Sequence, residues 1–211
     1  MALELFNYFR SSASYRVRIG LALKGLPYDY RSIHLAKGEQ QGAPYAAVSA
    51  TRLVPLLVDD DQVIHQSLAI LEYLDETHPA PPLLPPDAAG RARVRALAQD
   101  IACEIHPLNN LRVLQYLKSL GVDEDGRGRW YKHWVEGGLE TMERQLAAAP
   151  SPFCHGDQPG LADCVLVPQI FNARRFDCRL DHVPQVMRVF DACMALPAFA
   201  MTQPSACPDA E

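Results

Sequence analysis

Long apolar runs are missing from this chain of 211 residues. A membrane-spanning helix needs about 20 consecutive apolar residues. Here every apolar stretch is short and broken by charge, so no span is expected. Surplus positive charge is missing as well: 20 Lys and Arg stand against 25 Asp and Glu, a formal net charge of −5. That balance offers no electrostatic basis for binding nucleic acid, and an anionic ligand has to be held by a local cluster of cations. Cys103, Cys154, Cys164, Cys178, Cys193 and Cys207 are scattered, with no CxxC pair and no histidine at metal-ligand spacing. They read as reduced thiols packed as small apolar residues, not as a disulfide framework or a metal site. Met1-Ala2-Leu3-Glu4 lacks a basic stretch followed by an apolar core, so no secretory signal is expected and the expected location is cytoplasmic. No internal repeat or low-complexity tract occurs.

What is present is the composition of a soluble globular protein, 48% hydrophobic and 21% charged, long enough for one large domain or two small ones. Residues 1–80 alternate strand and helix signals. Leu3–Phe6 predicts a strand, Val17, Ile19, Leu21 and Leu23 a helix ending at Gly25, and Tyr28–Ile33 a second strand. Pro44–Val48 predicts a short helix. Leu53–Val58 is an apolar run holding a proline, Asp59-Asp60-Asp61 an acidic turn, Val63-Ile64 a resumed strand, and Ser67–Leu74 a helix. The order β-α-β-α-β-β-α implies a small mixed sheet with helices. Residues 79–86 hold five prolines and predict a stiff, extended linker. From Asp87 strand signals vanish, so 87–211 is expected to be all-helical. Asp87 to about Leu120 reads as one long helix, straight or bent near Pro107. Trp130–Ala149, Gly160–Phe176 and Val183–Leu196 follow, with an irregular tail after Phe199.

Arg10-Ser11-Ser12-Ala13-Ser14-Tyr15-Arg16-Val17-Arg18 places hydroxyl groups where the first strand hands over to the first helix. A helix N-terminus presents unpaired N–H groups and partial positive charge, so it holds anions, and Arg10 and Arg16 add fixed charge. The anion that fits this chemistry is a thiolate. Lowering a thiol pKa by ~2 units needs ~2.7 kcal/mol of preferential stabilisation. A helix end contributes ~0.3–1 kcal/mol, and a hydrogen bond to an anion ~1.5–3 kcal/mol. A serine hydroxyl together with a backbone N–H therefore closes a gap that the helix alone leaves open. Taken alone, the turn reads first as a plain helix cap by Ser11, Ser12 or Ser14.

Four further segments carry polar groups in suggestive places. Val54-Pro55 puts a proline in a strand-like run, which suits a cis bond beside a ligand or an edge strand or bulge. Gln66-Ser67 at a helix start suits a carboxylate or a simple cap. His106, Asn110 and Arg112 cluster about Pro107, and His106 lies four residues before Asn110. They read either as ligand contacts or as helix surface with one satisfied histidine. Asp163 falls at the third helical position if Gly160 caps its helix, a folding motif rather than a catalytic one. Arg174-Arg175 at that helix's end is either favourable charge at a C-terminus or a clamp on a substrate carboxylate.

Together these segments resemble the zeta class of glutathione transferases, the class of maleylacetoacetate and maleylpyruvate isomerases. The resemblance rests on Tyr8–Ile19, Val54-Pro55, His65–Ile70, His106–Asn110, Gly156-Asp157, Ala162-Asp163 and Val167-Pro168-Gln169, and runs over nearly the whole chain. It implies an α/β thioredoxin-like N-terminal domain (1–80) that binds glutathione, followed by an all-α C-terminal domain (87–211) for substrate, in a homodimer. It implies Ser11 as the thiolate partner. It implies Ser12, Ala13, Ser14, Tyr15, Arg16, Val54, Gln66, Ser67, His106, Asn110, Leu111 and Arg112 as glutathione contacts, and Arg10 and Arg175 as groups facing substrate carboxylates. No metal is implied. The chain departs from the class pattern at Ala13, where relatives often carry cysteine, at Gly160, often threonine, and at Ser49-Ala50, usually Asn-Pro.

The activity implied is glutathione-dependent cis–trans isomerisation of a small keto dicarboxylate, maleylacetoacetate to fumarylacetoacetate, in aromatic catabolism. The double bond becomes single on thiolate addition, rotates, and is restored on elimination. Maleylpyruvate is the alternative substrate. Leu111 favours maleylacetoacetate, because it leaves Arg112 without the neighbouring arginine expected of a dedicated maleylpyruvate enzyme. Glutathione-dependent attack on α-halo acids uses the same thiolate. A non-catalytic interaction module on the same fold is disfavoured by the intact Ser11 turn and Gln66-Ser67.

Overall fold

The computed structural model describes residues 3–211. Two compact units make up the chain. One holds the residues up to Leu83 together with Ala195–Glu211; the other is Leu84–Met194. The last 17 residues thus group with the first unit, whereas the sequence pattern ran the helical domain from 87 through to 211.

In the first unit, β1 (Leu3–Asn7), β2 (Tyr28–Ser32), β3 (Leu56–Asp59) and β4 (Gln62–His65) form one sheet in the order β2-β1-β3-β4. β1 and β2 are parallel, and β3 runs antiparallel to both β1 and β4. Alternation along β1 buries Leu3 and Leu5. They pack with Val17 and Leu21 of α1 (Ser12–Leu23) and with Ile70 and Leu74 of α3 (Ser67–Thr77). The short α2 (Ala43–Ala46) lies between β2 and β3. Gly20 lets α1 approach α3 closely: a Cβ there would collide with Leu71. The α1 C-terminus closes on Gly25 (φ +64°), with the Leu26 N–H on the Leu21 carbonyl and the Gly25 N–H on the Ala22 carbonyl, the double bond pattern of a Schellman end.

The proline-rich stretch is fastened, not loose. Buried Lys24 donates from Nζ to Asp75 Oδ1 (2.9 Å) and to the carbonyls of His78 (2.7 Å) and Pro81 (2.8 Å), and Asp75 also accepts the Leu83 N–H. The tail after Phe199 is also ordered by contacts. α9 (Pro197–Ala200) leads into a 3₁₀ turn at Pro204–Ala206, and Asp209 then accepts hydrogen bonds from the Phe9 N–H (3.4 Å), the Ser32 hydroxyl (2.7 Å) and the Tyr30 hydroxyl.

The second unit is helical: α4 (Ala88–Gln99), α5 (Leu111–Ser119), α6 (Glu124–Ala148), α7 (Leu161–Arg175) and α8 (Pro184–Met194). α7 is its axis, buried at every residue from Leu161 to Ile170 and packed against α4 and α8. Asp163 takes the Gly160 N–H and the Cys154 N–H, each at 2.9 Å, so it ties the preceding loop to the helix start. The single long helix expected over 87–120 is instead broken into pieces. α4 passes into a π-helical segment, Asp100–Ile105, where the His106 N–H reaches five residues back to Ile101. Pro107 has no N–H to carry the ladder onward. Asn110 then caps a new helix, accepting the Arg112 N–H at 3.1 Å. α6 also starts six residues before the expected Trp130, because Asp123 caps it through the Gly126 N–H at 2.7 Å.

Candidate active site

The first unit gathers most of the candidate residues around two helix N-termini. After β1 the chain turns, and the Ser11 N–H closes that turn on the Tyr8 carbonyl at 3.0 Å. Ser11 is the N-cap of α1 with extended backbone (φ −70°, ψ 116°), and its Oγ accepts the Ser14 N–H at 3.2 Å. The cap and the thiolate-partner readings of Ser11 are therefore compatible. A hydroxyl has one O–H and two lone pairs. Capping occupies a lone pair and leaves the O–H to donate to an anion. The Ala13 N–H has no acceptor among the described residues and belongs to the same helix end.

Exposure sorts the cluster. Ser11 and Ala13 are half-buried and Arg10 is exposed, whereas Ser12 is buried. Ser14 (0% exposed) and Tyr15 (1%) face inward: Ser14 Oγ accepts the Tyr8 N–H at 3.5 Å, and the Tyr15 hydroxyl donates to the Phe199 carbonyl at 2.8 Å. Their side chains support the turn from within.

The second helix end lies at α3. Gln66 precedes it at φ 71°, ψ 118°, a left-handed φ for a non-glycine residue, which costs ~1–3 kcal/mol where it occurs. Its carbonyl accepts the Ile70 N–H at 2.9 Å while its side chain stays exposed. Ser67 is the first residue of α3 and is buried. Arg16, 2% exposed on α1, donates to Ser67 Oγ at 3.2 Å and so brings a cation of the first helix to the start of the other. Val54, half-buried before a cis Val54–Pro55 bond, packs against the cluster of Tyr8, Phe9 and Cys207. Tyr45 steadies that loop through the Leu53 carbonyl at 2.6 Å. The Arg10 guanidinium lies 4.8 Å from the centre of the Phe9 ring and 3.4 Å from the Glu211 carbonyl.

The second unit carries the remaining candidates. His106 Nε2 lies 3.3 Å from Asn110 Nδ2, so the pair meets at the break after the π-helical segment. Leu111 and Arg112 are exposed on the first turn of α5. Trp130 fixes the bend, donating from its indole N–H to the Leu108 carbonyl at 2.7 Å. Arg174 is engaged locally, 4.3 Å over the Phe190 ring and 4.0 Å from Asp191. Arg175 is exposed at the end of α7, 5.0 Å over Phe176, whose ring stacks on Tyr131 at 3.9 Å. Of the two arginines, Arg175 is the one without a carboxylate within 4 Å among the described residues.

Sequence reasoning assigned no role to Arg18. It is 1% exposed and lies under the turn, bonded to backbone and side-chain oxygens from two separate stretches, Asn7–Phe9 and Thr202. The signal is an arginine set between two buried apolar residues of α1, Val17 and Ile19; its partners are mainly carbonyls, which leave no sequence trace. Burial pushes Cys154, Cys193 and Cys207 above the usual thiol value and Cys178 to about 11. Among the described residues no three His, Cys, Asp or Glu side chains group as a metal site would need.

Residues 10–77 match the family model for the glutathione S-transferase N-terminal domain, and residues 128–197 match that for its C-terminal domain. A probable maleylacetoacetate isomerase from Vibrio cholerae is 46% identical over 213 residues, covering 100% of this chain and 99% of that protein. Among solved structures, the holo form of a maleyl pyruvate isomerase, a bacterial zeta-class glutathione S-transferase, superposes with a TM-score of 0.96 at 45% identity, over 99% of this chain and 100% of that one. Maleylacetoacetate isomerase from Anaeromyxobacter dehalogenans, with dicarboxyethyl glutathione and citrate in its active site, superposes with a TM-score of 0.90 at 44% identity, over 100% and 98%.

Proposed function

The chain belongs to the glutathione S-transferase family, and we propose that it is a glutathione-dependent cis–trans isomerase of the zeta class that converts maleylacetoacetate to fumarylacetoacetate. The donors at the two helix ends fit the tripeptide: a hydroxyl with its hydrogen available at Ser11, the Ala13 N–H beside it, and Arg16 with Ser67 at the start of α3 for a carboxylate. Glutathione, when bound, supplies a thiolate nucleophile for reversible addition to the cis double bond.

The protein's own residues do the rest. Ser11 donates its O–H to the sulfur anion, and the α1 N-terminus adds its N–H groups. Ser12, Ala13, Arg16, Val54, Gln66 and Ser67 are the first unit's groups for the tripeptide; on the second unit the groups proposed to contact ligand are His106, Asn110, Leu111 and Arg112. Ser14 and Tyr15 keep the turn in shape. Arg10 and Arg175 recognise the two substrate carboxylates and stabilise the negative charge that develops on the keto acid. The protein is proposed to work as a cytoplasmic homodimer, without nucleic acid or a membrane; no helix among the described residues is long and apolar enough to cross one.

The observation that carries the proposal is the Ser11 hydroxyl, which caps α1 as an acceptor and keeps its hydrogen for a ligand, in a chain that aligns end to end with a probable maleylacetoacetate isomerase. The test is incubation of the protein with maleylacetoacetate, with and without glutathione; the absence of a glutathione-dependent gain in fumaryl product rejects it. Maleylpyruvate is the second reading, supported by the likeness to the maleyl pyruvate isomerase structure. Leu111 supports the first. The ratio of kcat/KM on the two substrates decides between them.

A further inference from the structure

Arg18 is among the largest fully buried side chains in the protein. Its Nη1 donates to Asn7 Oδ1 at 3.0 Å and to the Tyr8 carbonyl at 3.4 Å, its Nη2 to the Phe9 carbonyl at 3.0 Å, and its Nε to the Thr202 carbonyl at 3.0 Å. All four acceptors are neutral, and no carboxylate lies within 4 Å of it among the described residues. A buried charge without a counter-charge is costly, and an apolar side chain of similar volume would fill the space without that cost. What the guanidinium provides and an apolar group cannot is a rigid planar fork of donors aimed at several oxygens at once.

We propose that Arg18 is a positioning residue for the reaction: it fixes the Tyr8 and Phe9 carbonyls, and through them the Ser11 hydroxyl, and ties both to the carboxy-terminal segment. The Tyr8 carbonyl is the hinge of this arrangement, because it accepts the Ser11 N–H at 3.0 Å as well as the Arg18 donor. Movement of that carbonyl moves Ser11. Aiming the Tyr8 and Phe9 oxygens at a buried cation also turns their partial negative charge away from an anion held by the Ser11 O–H. The Thr202 bond brings in a segment about 180 residues away in sequence, which Asp209 fastens a second time at the Phe9 N–H. The other charged groups at the turn are Arg10, Arg16, Asp209 and Glu211. The charge of Arg18 opposes the effect of burial on nearby Cys207 and Tyr28, so its field is felt across this core.

The proposal rests on Ser11 being the thiolate partner, and the experiment separates the two. The ultraviolet absorbance of bound glutathione thiolate is titrated against pH in the full-length protein, Ser11→Ala, Arg18→Lys and Arg18→Met, with kcat and KM measured alongside. Arg18→Lys keeps the charge and most of the volume but cannot span four oxygens. It is expected to raise the bound thiol pKa by about one unit and to lower kcat near neutral pH about tenfold, with the substrate KM unchanged and kcat recovering at high pH. Arg18→Met is expected to do at least as much. Wild-type thiol pKa and kcat in a folded Arg18→Lys overturn the proposal, and so does a deficit confined to Arg18→Met, which would assign the effect to charge alone. If Arg18→Met does not fold, Arg18→Lys decides. A shift in Ser11→Ala without one in the Arg18 variants sinks this inference and leaves the assignment of Ser11 standing; no shift in Ser11→Ala sinks both.

Discussion

A serine at a helix N-cap commits a lone pair to the helix, and Ser11 does so through the Ser14 N–H. Its hydrogen remains available for the proposed bond to sulfur, so substitutions should separate the stabilising role from the chemical one. Ser11→Ala is expected to lose the bond to sulfur, ~1.5–3 kcal/mol, or about 10- to 150-fold in kcat near neutral pH. It should also lose the cap, ~1 kcal/mol of stability. Ser11→Asn keeps a capping oxygen and is expected to restore most of the melting temperature but little of the activity; calorimetry beside steady-state kinetics checks both. At the other candidate position, Arg175 is exposed and has no carboxylate within 4 Å among the described residues, so Arg175→Ala should leave stability within ~0.5 kcal/mol. Its loss should appear as a weaker grip on the dicarboxylate, a KM higher by about tenfold or more.

Whole elements in this protein begin and end on groups borrowed from elsewhere. The N-terminus of α8 is capped by Glu143 of α6, whose carboxylate accepts the Gln185 N–H at 2.8 Å and the Val186 N–H at 2.9 Å. Glu143→Ala leaves those donors unpaired and is expected to cost ~1–3 kcal/mol in denaturant unfolding. Glu136, also on α6, is pushed up by burial. The Arg179 N–H (2.9 Å) and guanidinium (3.2 Å) outweigh that and hold its carboxyl below the usual glutamate value. A lowered folded pKa stabilises the native state above the unfolded value, and that contribution is lost as pH falls through the folded value. Stability measured from pH ~6 down to pH ~3 should therefore fall less steeply in Glu136→Gln than in the parent chain. In the first unit, Asp209 joins the carboxy-terminal segment to β2 and to the Ser11 turn. Asp209→Ala should cost ~1–3 kcal/mol and loosen that turn, seen as faster amide exchange at Phe9.

At the scale of the molecule, a formal charge of −5 means that anionic ligands are recognised against the mean field by local cations. The cations proposed for this are Arg10 and Arg16 on the first unit and Arg112 and Arg175 on the second. Binding to the native state alone raises stability by mass action, ~2.7 kcal/mol at a ligand concentration one hundred times Kd. Glutathione should therefore raise the melting temperature of the parent chain, and less so that of Arg16→Ala at equal concentration. A thermal-shift titration measures the difference. An equal rise in both would remove Arg16 from the binding set.

Much of this was legible in the chain itself, because local rules govern it. The β-α-β-α-β-β-α order follows from alternation and helical period, the Gly25 stop from left-handed backbone, and the Ser11 cap and the Asp163 acceptor from fixed short spacings. The proposal of a thiolate site rests on a strand-to-helix hydroxyl cluster flanked by arginines, which is visible in the sequence. The break of the 87–120 helix was half legible: Pro107 announced a bend, but Asn110 as a new cap became visible only in the structure. The roles of Arg18, Glu143 and Asp209 were decided by the tertiary structure alone. Each bonds backbone groups brought near by folding, and a backbone carbonyl or N–H looks the same at every position of a sequence. Chain periodicity and caps thus determined the elements, while contacts at long separation decided which buried polar groups hold the site in shape.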